Sequence, residues 1–173
     1  MPMHRPMEVV DSQLVRAPAA TIFALAKDVE HWPSHLPHYR YVRFRSRRSD
    51  GGGVVEMSAY RPFPVLQPHR KNGIHLNWPT WWLSEMAVSE DRPAIRFRHI
   101  GGITKGMEVE WTFEPTPDGT HVRIVHMWTG PRIPKIGMWA AVYVIGPLFV
   151  HGIASRTLAG LASVAERKAN RQS

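Results

Sequence analysis

The sequence predicts an α+β fold. A curled antiparallel sheet of about six or seven strands surrounds a long C-terminal helix, and two short helices follow the first strand. Three observations predict it. Met107, Val109, Trp111 and Phe113 alternate strictly with Glu108, Glu110, Thr112 and Glu114, the pattern of a strand with one face on a core and one in water. Turn signals such as "SDGGG" and "PTPDG" cut the middle of the chain into strand-length runs. From Met138 to Ala165 the residues are mostly apolar or small. That is the one element large enough to cover the concave face of so long a sheet. With 173 residues, the chain reads as a single domain over residues 1–173.

Each element follows in order. Residues 8 to 16 read as the first strand. "APAATIFALAKDVE" reads as a helix, with Pro18 near its first turn and an apolar stripe of Ile22, Phe23, Leu25 and Ala26. Pro33 and Pro37 allow "HWPSHLPH" only a short helix or turn. Residues 40 to 48 are the second strand and Val54 to Tyr60 the third. The Pro-rich stretch from Arg61 to Pro79 predicts a long loop or an interrupted strand. Trp81 to Val88 and Ala94 to His99 are strands around the turn "SEDRP". Met107 to Glu114 and His121 to Thr129 form a hairpin on an Asp-Gly signal. The terminal helix reads as two pieces hinged at Gly146-Pro147, and the polar tail begins at Glu166. A helix laid across a curled sheet leaves a tapered space, the natural place for a ligand cavity.

Composition excludes several functions. The chain has no cysteine, so disulfides, thiolate metal sites and cysteine nucleophiles are absent. The first ten residues hold no apolar signal-peptide core, and a cytoplasmic location is the expectation. Formal net charge is +8. In "RYVRFRSRR" the apolar Val42 and Phe44 alternate with Arg43, Arg45 and Arg47. This is a half-buried strand with a solvated face, so no nucleic-acid partner is expected.

The stretch "VRAPAATIFALAKDVEHWPSHLPHYRYVRF" resembles the opening of the START-like polyketide cyclase and dehydrase superfamily. This SRPBCC group includes aromatase/cyclase and coenzyme Q-binding relatives. The matching features are Ala17-Pro18, the apolar helix, Asp28, Trp32-Pro33 and Tyr39 just before a strand. "MEVEWTFEPTPDGTHVRIVH", Met107 to His126, resembles the family's last hairpin. The likeness covers about Glu8 to Arg167. It implies the helix-grip fold and a hydrophobic or aromatic ligand in the grip cavity. No cofactor is expected. The family's cavity-mouth positions fall on Trp32, Leu36, His38 and Tyr39, and its W-x-S stretch on Trp82, Leu83 and Ser84. Two residues after that serine, aromatase/cyclases carry an arginine that polarises a ketone. Here the position is Met86, whose thioether supplies neither charge nor donor.

His31, His35 and His38 form the densest histidine cluster. Pro33 and Pro37 interrupt it, so no metal site is expected there, and Trp32 and Leu36 should point inward while the histidines face water. His99 shares an apolar face with Ile95 and Phe97. His126 shares one with Val122, Ile124 and Trp128. Both histidines should point inward, two strands and roughly 10 Å apart. His126, His99 and Tyr39 are the candidate acid–base groups. The expected ligand-binding residues are Trp32, Leu36, Tyr39, Trp82, Ser84, Met86, His99, Trp111 and His126, with Phe149 and Ile153 on the terminal helix. Glu108, Glu110 and Glu114 should face solvent. No hydrolase, zinc-protease or phosphate-loop motif is present.

The leading expectation is therefore binding of a lipid, quinone or polyketide. An acid–base enzyme of the cyclase/dehydratase type is the alternative. A membrane-associated lipid carrier is a third, using Gly137 to Ser155 as a lid or a surface for peripheral membrane contact. Oligomeric state is left open by the sequence.

Overall fold

The computed structural model describes residues 7–64, 75–129 and 150–172. Strand β1 (Met7–Val15) leads into helix α1 (Ala19–Lys27), a 3-10 turn (Val29–His31) and the short helix α2 (Trp32–His35). Six strands follow: β2 (Tyr39–Arg47), β3 (Gly53–Pro64), β4 (His75–Ser89), β5 (Ala94–Gly102), β6 (Glu108–Thr116) and β7 (Gly119–Trp128). Helix α3 (His151–Gln172) follows. All seven strands form one antiparallel sheet in the order β1-β7-β6-β5-β4-β3-β2. The α+β helix-grip architecture expected from the sequence is the one observed.

The single helix expected over residues 17–30 is broken. Pro18 caps α1, and Asp28 adopts φ −84°, ψ 61°, which ends it. The chain re-enters helix at Trp32, where Pro33 occupies the first turn and costs no hydrogen bond. Ile22, Phe23, Leu25 and Ala26 are the buried stripe of α1.

Of the two readings of the Pro-rich segment, the described residues at both of its ends follow the strand. β3 runs on to Pro64 and β4 begins at His75. The register explains how Pro62 and Pro64 are accommodated. β2 pairs with β3 only as far as Tyr39↔Ala59, while β4 pairs with it through Pro64↔His75. Beyond Tyr60 one edge of β3 thus has no strand beside it among the described residues, and proline is tolerated on such an edge.

At the β6–β7 hairpin, Thr116 pairs with Gly119. Gly119 has φ +143°, and an added Cβ would lie 2.2 Å from the Val15 carbonyl oxygen. Only glycine fits this approach. Helix α3 runs on to Gln172, seven residues beyond the apolar run, because Glu166, Arg167, Lys168 and Ala169 are all good helix formers. It packs on β1, β3, α1 and α2. Gly160 meets α2, where an added Cβ would stand 2.2 Å from Leu36 Cδ2. Among the described residues no helix is long and apolar enough to cross a membrane. The hinge expected at Gly146-Pro147, the candidate Phe149 and most of Gly137–Ser155 lie outside the described residues.

The outer face of the sheet disposes of the arginine run. Glu56 on β3 accepts hydrogen bonds from Arg43 (3.0 Å), from Tyr41 (2.8 Å) and from Arg45. Arg47 is tied to Glu30. Glu108 and Glu114 are exposed, and Glu110 pairs with Arg96 at 2.7 Å.

Candidate functional site

The concave face of the sheet meets α2 and the first turns of α3 around a cavity of about 60 Å³. Its walls include Trp32 from α2, Tyr39 from β2 and Met57 from β3. Trp82, Phe97, His99, Val109, Trp111 and His126 come from β4 to β7. Val150, Ile153, Ala154 and Thr157 close it from the helix side, and Thr104 and Met107 from the β5–β6 turn. The space takes a few water molecules. Drug-sized ligands occupy about 300–1,000 Å³. Entry of a ring system therefore requires side chains to swing, and the unbranched Met57 and Met107 are suited to that.

The wall is a continuous aromatic array. The Trp32 ring centroid lies 5.3 Å from Tyr39, 5.8 Å from Trp111 and 6.5 Å from Phe97. Tyr39 continues to Trp82 at 6.2 Å, and Trp82 stacks on His99. Trp32 is fixed by donating its indole N–H to the Leu25 carbonyl at 3.2 Å.

Polar groups are few and buried. His99 Nδ1 lies 2.6 Å from the Thr104 hydroxyl. His126 is also buried, and its Nδ1 has no hydrogen-bond partner among the described residues. Burial lowers the His99 pKa to about 4. Burial, and secondarily the charge His99 would carry, lowers that of His126 to about 3. Both are neutral imidazoles at pH 7, so each offers one donor and one acceptor. Neither can supply a positive charge to a ligand near neutrality.

A second polar group enters from the helix. Thr157 Oγ1 lies 3.1 Å from His38 Nε2, 3.3 Å from the Tyr39 hydroxyl and 2.8 Å from the Ile153 carbonyl. The Thr157 hydroxyl has a single proton. Given to the nearest acceptor, Ile153, it leaves the oxygen free to accept from both His38 and Tyr39. Burial pushes the Tyr39 phenol well above its ordinary pKa, so it stays protonated as a hydrogen-bond donor.

The structure brings together seven of the residues singled out from sequence: Trp32, Tyr39, Trp82, His99, Trp111, His126 and Ile153. It places three others elsewhere. Leu36 lies against Gly160. Ser84 and Met86 share the concave face with Trp82, but both are wholly buried and neither lines the cavity. Thr104 and Thr157 were not anticipated. Thr104 comes from a turn that folds back, and Thr157 from a helix whose face toward the sheet no short motif specifies.

The histidine cluster divides. His31 Nδ1 pairs with Asp28 at 2.8 Å and stays exposed, and His35 is exposed. His38 does not face water as expected. It turns inward to Thr157 and packs on Tyr39, centroids 4.8 Å apart. Burial, then the charge of Arg156, lowers its pKa to about 4. Among the described residues no group of three or more histidines or carboxylates is placed to hold a metal ion.

Comparison with known proteins adds three findings. The family model described as polyketide cyclase / dehydrase and lipid transport matches residues 15–143. A curated protein of Streptomyces cyaneus, named for polyketide cyclase activity, is 26% identical over 117 residues. That match spans 66% of this chain and 65% of the relative, just under two thirds of its length. Among solved structures, the Zhui aromatase/cyclase from Streptomyces sp. R1128 superposes with a TM-score of 0.75 at 17% identity, covering 95% of this chain and 96% of that one. A START superfamily protein from Mycobacterium smegmatis gives 0.60 at 19% identity, covering 96% and 99%. At such identities these likenesses establish the fold alone.

Proposed function

Because the chain belongs to the polyketide cyclase / dehydrase and lipid transport family, we propose that it binds a neutral hydrophobic or aromatic small molecule in the cavity between sheet and helix. One observation carries this reading. Trp32, Tyr39, Trp82, Phe97 and Trp111 line a single space that also receives the polar edges of His99, His126, Thr104 and Thr157. An apolar pocket with a few convergent polar groups is the usual design of a small-molecule site. Neutral imidazoles and a protonated phenol favour an uncharged ligand with carbonyl or hydroxyl oxygens. A lipid, quinone or polyketide meets that description. Desolvation in this cavity disfavours a carboxylate.

A second reading, an acid–base enzyme of cyclase or dehydratase type, rests on His126 and His99 facing the same cavity with Tyr39. A neutral imidazole can take a proton from an activated C–H or O–H group. The test that separates the two is made with purified full-length protein. Native mass spectrometry and tryptophan fluorescence report binding, and product analysis after incubation with poly-β-keto substrate reports turnover. Saturable quenching with unchanged substrate supports a carrier. No quenching by any aromatic or isoprenoid probe sinks the ligand-binding reading.

A further inference from the structure

Two buried polar atoms on neighbouring strands lack partners among the described residues. Asp11 on β1 is 5% exposed, and its Oδ1 lies 2.6 Å from His151 Nδ1 at the start of α3. Its Oδ2 is buried with no hydrogen-bond partner among the described residues, and so is His126 Nδ1. The register brings the two residues together. Val9 pairs with His126 and Asp11 with Ile124, so Asp11 and His126 are diagonal neighbours on one face of the sheet. Diagonal neighbours lie about 7–8 Å apart, a span that a short carboxylate and an imidazole bridge only when turned toward each other or through one water.

A buried carboxylate oxygen and a buried imidazole nitrogen are each costly to leave unpaired, because each loses its hydrogen bonds to water and gains none in return. They are complementary when the nitrogen carries the proton. We propose that Asp11 is the positioning residue of His126: its Oδ2 accepts the Nδ1–H, directly after a small side-chain rotation or through one water, and so leaves Nε2 as a hydrogen-bond acceptor for the cavity. His151, more than half exposed, holds the other carboxylate oxygen from the surface side. Burial raises the pKa of Asp11, and His151 opposes that shift. The titratable groups around the pair, among the described residues, are His151 on α3 and His99 and Tyr39 across the cavity.

The arrangement rests on the cavity being a ligand site and specifies what that site recognises. An acceptor at Nε2 selects ligands with a phenolic or enolic hydroxyl over their ethers. If such a hydroxyl gives up its proton, the proton moves to Nε2 and its bonding pair stays on the ligand oxygen. The nearby Asp11 carboxylate then offsets the imidazolium charge. An imidazole fixed in the other tautomer, with Nε2–H, would select carbonyl acceptors instead.

The test uses the full chain with ¹⁵N-labelled histidine and no ligand. Long-range ¹H–¹⁵N spectra should show His126 with a protonated Nδ1 and a bare Nε2. Asp11→Leu, which removes the acceptor, should shift His126 toward the Nε2–H form. His151→Gln, which leaves Asp11 in place, should not. Nε2–H in the unaltered protein, or Nδ1–H unchanged in Asp11→Leu, overturns the proposal. If Asp11→Leu does not fold, Asp11→Asn decides. Losing the carboxylate charge must lower the His126 titration midpoint, and an unchanged midpoint overturns the proposal. Binding is read separately with 2-naphthol and 2-methoxynaphthalene. Asp11→Leu should weaken 2-naphthol roughly five- to tenfold more than its ether, the worth of one hydrogen bond. Equal losses also count against the proposal. The expected tautomer with neither probe bound would leave Asp11 as positioning residue and remove the ligand reading alone.

Discussion

The Trp82 indole stacks on the His99 imidazole, with ring centroids 6.0 Å apart and 19° between the planes. The stack joins the apolar wall of the cavity to its polar end. A ligand that enters between them touches both, so Trp82 should be the tryptophan whose emission reports occupancy. Its neighbour Trp81 points the other way and is 53% exposed on the outer face.

An aromatic probe should quench intrinsic fluorescence saturably. Trp82→Leu should reduce affinity about tenfold or more, while Trp81→Leu should leave it within about twofold. The expectation follows from losing a ring–ring contact and its buried area. Equal losses at both positions would place binding on the surface rather than in the cavity.

Acidification should destabilise the fold. His99 and His126 have folded pKa values of about 4 and about 3, below the 6.5 of an unfolded histidine. The unfolded chain therefore binds protons first as pH falls through 6.5. Stability conferred at neutral pH is lost progressively from about pH 6.5 down to about 3–4. At pH 5 the two together cost on the order of 2–4 kcal/mol. His38, only part-buried, adds in the same direction. Asp11 has the opposite sign, since its raised pKa relieves the folded state on protonation. Urea midpoints measured between about pH 7 and pH 5 should fall, and His126→Phe should flatten the slope. A pH-independent midpoint would contradict the buried neutral imidazoles.

Tyr39 and Thr157 offer a separable pair. Tyr39→Phe keeps the ring between Trp32 and Trp82 but removes the hydroxyl from Thr157. At 3.3 Å that bond is long, so the stability cost should be at most about 1 kcal/mol. Affinity for a carbonyl-bearing ligand such as a naphthoquinone should fall several-fold, because the phenol proton turns from Thr157 to the ligand oxygen when the cavity is occupied. Thr157→Val leaves the phenol in place without its partner. It should preserve quinone binding or strengthen it. The reverse ranking in a fluorescence titration would mean that Thr157, not Tyr39, contacts the ligand.

How much of this was legible in the sequence depends on the physical signal. The strict alternation from Met107 to Phe113 specified β6 and its inward face, because the side-chain period of a strand is two. The same reasoning turned His99 and His126 inward, and both are buried in the cavity wall. Periodicity cannot say which inward residues reach the cavity. Ser84 and Met86 alternate correctly with Trp82 yet do not line the cavity, and Leu36 is taken up by packing on Gly160. For residues 61–79 the prolines leave a long loop and an interrupted strand equally open, because a sequence does not show which strand edge lacks a neighbour; the described parts, to Pro64 and from His75, are strand. The Asp11–His151 pair is 140 residues apart along the chain, and no local pattern announces such a contact.

The three histidines at 31, 35 and 38 should not bind zinc stoichiometrically. His31 is held by Asp28 at the surface and His38 by Thr157 in the interior. A metal site would have to break both bonds and turn His38 out of the protein. Isothermal titration with zinc should show no saturable site sensitive to His35→Ala. A one-to-one site lost in that variant would contradict the observed orientations.

The last prediction concerns Met86. Ring-closing aromatisation builds negative charge on a carbonyl oxygen, and a positioned charge-assisted donor stabilises that charge by several kcal/mol. The family resemblance places a cation at this point of β4, where the chain has a thioether. Met86 is fully buried, paired between Gly53 and Phe97, and does not line the cavity. His99 cannot replace the cation, because its low pKa leaves it neutral at pH 7. His126 offers an acceptor, which could draw a proton from an acidic ligand but leaves the developing enolate without a cation. The protein should therefore bind a poly-β-keto chain without closing its first ring efficiently. Arginine introduced as Met86→Arg should not restore closure. A guanidinium at a fully buried position without a carboxylate partner should cost several kcal/mol of stability. The assay is incubation with a polyketide synthase's linear product followed by chromatographic product analysis. Regiospecific first-ring closure by the unaltered protein, lost in His126→Ala, would show a catalyst that stabilises the enolate without a cation and would overturn the carrier reading.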